Sequence, residues 1–199
     1  MIGDSGRSAT LVENLEVIYA AASGEVVGSV AEGVALLQGA AAAGLYTTMA
    51  QRLDTTGQTL VHMDARGGNV FVRDGECCLY DWQNVSRGNG CLDLAYFLAS
   101  SLTVQDRRAT EQALVSLYSE CASVAEGEVA ATLAMAFLWP VVWAALTAST
   151  GLEQLTEFLV PKNEDNEKAH ARTRTFLAVT TVRFIQAAVD WNSLHVLQQ

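Results

Sequence analysis

Thr59-Leu60-Val61-His62-Met63-Asp64-Ala65-Arg66-Gly67-Gly68-Asn69 opens the stretch that decides the fold, and that stretch runs on to Leu102. A short apolar run delivers His62 and Asp64 to a polar, glycine-bearing loop. The chain then returns to apolar alternation through Val70, Phe71 and Val72, turns at Arg73-Asp74-Gly75-Glu76, and leaves through Cys77-Cys78-Leu79-Tyr80 to a second acid, Asp81. Two short strands joined by an Asp-Gly turn make a β-hairpin. Such a hairpin sets Asn69 and Asp81 side by side at its mouth, with Asp64 looking across from the preceding loop. Three oxygen-bearing side chains so placed suit a hard divalent cation.

The pattern H-x-D-x-x-x-x-N over His62 to Asn69 is followed by Asp81 in Tyr80-Asp81-Trp82-Gln83. Behind it comes Gly88-Asn89-Gly90-Cys91-Leu92-Asp93-Leu94-Ala95-Tyr96-Phe97-Leu98. This order and spacing resembles the small-molecule kinases of the aminoglycoside phosphotransferase and choline kinase type, and Asp81-Trp82-Gln83 leans towards their ecdysteroid-kinase-like branch. The resemblance implies a mainly α fold with a small β-hairpin, like the C-terminal lobe of a protein kinase. It also implies phosphoryl transfer from ATP, with Mg2+, to a small hydroxyl-bearing substrate. By that resemblance Asp64 aligns or deprotonates the acceptor hydroxyl, Arg66 faces the transferred phosphate, and Asn69 and Asp81 are the metal ligands. His62 braces the loop, and Asp93 accepts hydrogen bonds from the loop backbone.

Two departures stand beside the match. Met63 occupies a place where these kinases generally carry glycine, which matters if the loop needs a backbone conformation that only glycine takes easily. The second is a missing N-terminal ATP-binding lobe: the 61 residues before His62 read as helices, and Gly24 to Gly33 lacks G-x-G-x-x-G spacing. The expectation is therefore a C-terminal lobe alone, truncated or completed by another chain that supplies or covers the small-lobe face, and weak or inactive by itself. The residues that would bind the nucleotide base are unknown. The rival reading is a degenerate kinase-like binding module that acts through a partner.

Composition is compatible with this and excludes some classes. The chain has 199 residues, half of them hydrophobic, 17% charged, and a net charge of -10. That size suits one domain with a full core, and such acidity argues against nucleic acid as a partner. Cysteines at 77, 78, 91 and 121 show no C-x-x-C spacing and read as reduced thiols in a cytoplasmic core. Val129 to Ala148 carries no charge and is long enough to span a membrane. Pro140 and the absence of flanking Lys or Arg favour a kinked, buried helix and no membrane partner.

The periodicity predicts a disordered start over residues 1–8, a helix opened by a Thr10–Glu13 capping box, and a second capped by Ser29 and Glu32 that runs to Met49. These are the two helices of residues 9–53, ahead of a catalytic segment at 58–102. Residues 103–199 read as a helical lobe: a helix capped by Thr103 with Leu114, Leu117, Tyr118 and Cys121 on its inner face, ending at Glu126-Gly127, then the Pro140 helix, a helix over 151–160, and a last one from Glu167 to Trp191. His170 and His195 read as solvated.

Overall fold

The structure is a computed structural model, and it describes residues 4–25, 28–42, 44–55, 57–163 and 165–198. The chain is mainly helical, 71% by residue, with small antiparallel β pairs. Among the described residues three helices come first: α1 (Asp4–Ala21), α2 (Val30–Ala42) and α3 (Leu45–Leu53). Helix α1 starts well ahead of the Thr10 capping box and includes residues read as disordered, whereas residues 1–3 lie outside the described residues. The Ser29–Glu32 box does form: the Ser29 hydroxyl accepts the Glu32 N–H at 3.3 Å, and the Glu32 carboxylate accepts the Ser29 N–H at 2.7 Å. Positions 26 and 27 of the glycine-bearing loop lie outside the described residues. The helix expected to continue to Met49 breaks instead at Gly44, whose φ of +57° belongs to a left-handed turn that most side chains resist.

Strand β1 (Gln58–Val61) pairs antiparallel with β4 (Ser86–Asn89), while β2 (Val70–Arg73) and β3 (Glu76–Leu79) form the expected hairpin. Its register sets Val70 opposite Leu79 and Arg73 opposite Glu76, so the turn is Asp74-Gly75. Both turn residues have positive φ, as a tight two-residue hairpin requires. The β1–β4 pair was not legible in advance, because Ser86-Arg87-Gly88-Asn89 has no apolar alternation. Its buried members, Gly88 and Asn89, go inside through small size and hydrogen bonding; a Cβ on Gly88 would lie 3.2 Å from Val61.

The helices that follow among the described residues are α4 (Cys91–Ser101), α5 (Val104–Ala122), α6 (Glu126–Ala136), α7 (Leu138–Thr150), α8 (Leu152–Leu159) and α9 (Glu167–Asp190), with a short α10 (Ser193–Gln198) behind them. Thr103 caps α5 by accepting the Asp106 N–H at 3.1 Å. Glu126 and Gly127 open α6 rather than close α5. The apolar stretch 126–150 is long and apolar enough to cross a membrane, and 56% of its apolar window is buried within the protein. It is two helices, not one kinked helix, and the break falls at Phe137. Pro140 has no N–H to give the carbonyl of residue 136, so the ladder stops there and the proline sits in the tolerant first turn of α7.

Helix α9 is the spine, packing on α7, α1, α8 and α4 through Ala178, Val182, Phe184, Ile185, Ala187 and Ala188. The predicted inner face of α5 holds in part: Leu114 and Tyr118 pack against the core, but Leu117 and Cys121 are exposed while Val104, Arg107 and Val115 are buried. Ion pairing sets that orientation. Arg107, 1% exposed, donates to Glu111 at 2.5 Å and to Asp190 at the end of α9. Arg108 grips both oxygens of Asp190 at 2.7 and 2.8 Å, and Gln186 adds a further donor. Of the four thiols only Cys91 is buried, contrary to a core placement for all; burial pushes its pKa up to about 11. His170 is likewise buried rather than solvated, its Nδ1 2.7 Å from the Val160 carbonyl.

Burial alone would raise the Asp190 carboxyl pKa, but hydrogen bonds from Arg108, Arg107 and Gln186 outweigh it and hold it below its ordinary 3.8. Its contribution to stability is therefore complete above that value and is lost as pH falls through the lowered one. Asp190→Ala leaves a buried guanidinium short of a partner and is expected to cost about 3 kcal/mol. Urea unfolding at about pH 5 and about pH 3 checks both parts: the variant should be less stable at the higher pH and lose less on acidification.

Candidate active site

Strand β1 ends at Val61, fully buried, and the chain then reverses over a helix end. The carboxylate of Asp93, in the first turn of α4, accepts the backbone N–H of His62 at 2.6 Å with one oxygen and that of Met63 at 2.8 Å with the other. An acid in the first turn of a helix is favoured by the helix dipole, and charge-assisted bonds of this kind are about twice as strong as neutral ones. The His62 ring is fully buried. Its Nε2 lies 2.8 Å from the Tyr80 carbonyl, which can only accept, and its Nδ1 accepts the Asp64 N–H at 3.3 Å. Those partners require the neutral ring with its proton on Nε2. The Trp82 ring packs on it at 4.6 Å between centroids.

The clamp forces Met63 into φ +66°, the left-handed region. The conformation is therefore one that glycine takes easily and methionine takes at a cost. It turns Asp64 back over the loop, where Asn69, only 2% exposed, meets it: the Asn69 amide nitrogen donates to the Asp64 backbone carbonyl at 2.9 Å and to its Oδ2 at 2.8 Å. Residues Gly67–Asn69 make a 3-10 turn, pinned by the Gly67 N–H to the Ser101 hydroxyl at 2.7 Å. The Arg66 guanidinium pairs with Asp64 Oδ1 at 3.4 Å and lies 5.6 Å over the Phe176 ring of α9.

Asn69 and Asp81 flank the base of the hairpin. The Asn69 carbonyl accepts the Tyr80 N–H at 3.1 Å, one step beyond the Val70–Leu79 pair, and Asp81 comes next. Asp81 also has positive φ, +65°, and its exposed carboxylate has no hydrogen-bond or ion-pair partner among the described residues. With its amide nitrogen committed to Asp64, Asn69 has its side-chain oxygen left as an acceptor. One carboxylate and one amide oxygen fit magnesium, which binds through few protein ligands and fills its shell with water and phosphate oxygens. Among the described residues no group of three or more His, Cys, Asp and Glu side chains forms a metal cluster.

A cleft of about 360 Å³ opens over Asp64, walled by Met63, Arg66, Asn84, Tyr96, Trp143 and Phe176. Tyr96 faces Asp64; burial first, then the Asp64 charge, push its pKa far up, so it stays a neutral phenol. Its place three residues after Asp93, on one face of α4, is a signal that sequence reading passed over. Asn84, Trp143 and Phe176 carry no such signal, because nothing local ties them to the loop.

The strain at Met63 generates a prediction. A non-glycine residue in the left-handed region costs about 1–2 kcal/mol, and the greater freedom of glycine in the unfolded chain returns part of that. Met63→Gly is expected to stabilise the protein by about 0.5–1 kcal/mol, read as a raised urea midpoint at unchanged slope; a lowered midpoint contradicts the account of the loop. Asp93→Asn, which offers one acceptor where two are needed, should destabilise by about 1–3 kcal/mol.

Among known families, DUF1679, described as "Uncharacterized oxidoreductase dhs-27", matches residues 8–130, from the first helix into α6. No curated protein and no solved structure matches the chain. With well over half of its length matched, the chain belongs to that family, which is related to the ecdysteroid kinase-like proteins.

Proposed function

We propose that the chain carries the catalytic half of an ATP-dependent small-molecule O-phosphotransferase. The observation that carries this reading is the Asp64–Asn69 pair, with the Asn69 carbonyl accepting the N–H of Tyr80, the residue before Asp81. A carboxylate at the floor of an open cleft can align an acceptor hydroxyl and take its proton. Asn69 holds Asp64 in place through Nδ2, and its Oδ1 together with Asp81 would hold magnesium. Bound there, the ion supplies neutralisation of phosphate charge. Arg66 is the cation within reach of Asp64, suited to a phosphoryl group arriving at that carboxylate. His62 and Asp93 act through the backbone, fixing the loop.

The word oxidoreductase belongs to the protein for which the family is described. A hydride-transfer reading of this chain would look for a parallel sheet with a glycine-rich turn at a strand–helix junction. Both sheets among the described residues are antiparallel pairs, which is a different arrangement. The described residues ahead of β1 are helical, so the groups that cover adenine and grip the phosphates are expected from elsewhere, and turnover by these residues alone should be weak. Leu60 of β1 and Val72 of β2, at 66% and 69% exposure, leave apolar side chains open on the strands, which supports a covering partner chain.

Calorimetry separates this from a binding module that acts only through a partner. ATP should give a binding heat that needs magnesium, and Asp81→Asn should abolish it. Asp64→Asn, by contrast, should bind nucleotide and lose phosphoryl transfer. A heat indifferent to magnesium or to Asp81 would leave the binding-module reading in possession.

A further inference from the structure

Met63 lines two hollows: the cleft over Asp64, and a second pocket of about 390 Å³ that shares no other residue with it. The second pocket lies where α3, β4, α4 and α7 meet. Met49 and Leu53 of α3, Leu92 of α4, and Trp139 and Val142 of α7 give it apolar walls. Arg87 of β4 and Asp54, at the end of α3, add one charge of each sign. Small-ligand pockets have volumes in this range and are likewise mostly apolar, with a few polar groups that fix orientation.

Each part of the lining narrows the ligand. Met49, Met63 and Trp139 make polarizable walls, and thioether sulfur packs well against the edge of an aromatic ring, so an aromatic body is favoured. Backbone structure holds both charges in place. Arg87 sits in β4 opposite Leu60 of β1, and the Asp54 N–H closes α3 by donating to the Ala50 carbonyl at 2.9 Å. Both side chains are exposed, and they do not pair with each other. A ligand of one sign would meet attraction from one of them and repulsion from the other. A ligand carrying both signs answers both.

We infer that this pocket binds an aromatic α-amino acid as its zwitterion, with the ring among Met49, Met63 and Trp139, the carboxylate towards Arg87 and the ammonium towards Asp54. The ligand needs no hydroxyl, so it is an effector and not a phosphoryl acceptor. Through Met63, which lines both hollows, an occupant bears on the backbone turn just before Asp64. Neither nucleotide nor magnesium takes part, so the inference stands apart from the phosphoryl-transfer reading.

Labelling the methionine methyls of the full chain with 13C gives four signals, from Met1, Met49, Met63 and Met135. Met49→Leu and Met63→Leu identify the two that belong to the pocket. Titration with phenylalanine should move those two and leave the signals of Met1 and Met135 in place. Of two matched probes, 3-phenylpropionate lacks the ammonium and phenethylammonium lacks the carboxylate. Each should bind about twofold to fivefold more weakly than phenylalanine, the worth of one exposed ion pair. Arg87→Gln should bring phenylalanine down to the affinity of phenethylammonium, and Asp54→Asn down to that of 3-phenylpropionate. The inference is overturned if either singly charged probe binds as tightly as phenylalanine, if either substitution leaves phenylalanine binding unchanged, or if the Met49 and Met63 signals do not move. None of these outcomes alters the magnesium-dependent nucleotide heat, so the two readings fail separately.

Discussion

One carboxylate holds the site together. Asp93 takes two consecutive backbone N–H groups, those of His62 and Met63, one on each oxygen. Two neighbouring N–H groups of an extended strand point in opposite directions, so meeting one acceptor group with both requires the chain to turn between them. That requirement drives Met63 to positive φ. Charge-assisted bonds, each worth about 1.5–3 kcal/mol net, outweigh the left-handed penalty of about 1–2 kcal/mol. The turn is what lifts Asp64 out of the strand direction and over Asn69.

His62 makes the arrangement one unit rather than a loop beside a hairpin. Its ring joins the strand that delivers it, the carbonyl of Tyr80 at the end of the hairpin, and the N–H of Asp64. Because the carbonyl accepts and the amide donates, one tautomer satisfies both, and a doubly protonated ring would set donor against donor. The same ring fixes the spacing between Asp64 and the residue before Asp81. Tyr80 repeats the tie from the other side, its hydroxyl donating to the Gly68 carbonyl at 2.5 Å. A bound cation would thus meet side chains whose backbones are already set, which is the condition for electrostatic preorganisation.

Much of this was legible because it is local. The hairpin was readable from its Asp-Gly turn and flanking alternation, and the closeness of Asp64 and Asn69 from the short loop that joins them. What escaped reading depends on distant partners. The buried face of α5 is turned by Arg107 towards Asp190, some eighty residues on, and no hydrophobic period announces a charged residue as the inward one. Strand β4 hides its pairing because glycine and asparagine fill its buried positions. The break at Gly44 failed for another reason: alanine-rich sequence continues the helical pattern through it, and only the positive φ marks the stop.

The division between local and distant has a consequence for how such a site changes. His62, Asp64, Asn69 and Tyr80 lie within one short segment and are tied to each other by hydrogen bonds, so they are hard to alter singly. The cleft walls come from α7 and α9, and their positions depend on how those helices pack. Helix α9 is fixed at its far end by Asp190 and in its middle by Arg183, which donates to Glu25 at 2.8 Å and to the Ser100 carbonyl at 3.2 Å. Phe176 sits about 21 Å along the helix from Asp190, at 1.5 Å per residue, and two turns from Arg183. Ion pairs that look purely structural therefore set the distance between Phe176 and Arg66, and through Arg66 the freedom of Asp64. The packing of α7 and α9 can therefore move the cleft walls while the hydrogen bonds within residues 62–81 stay as they are.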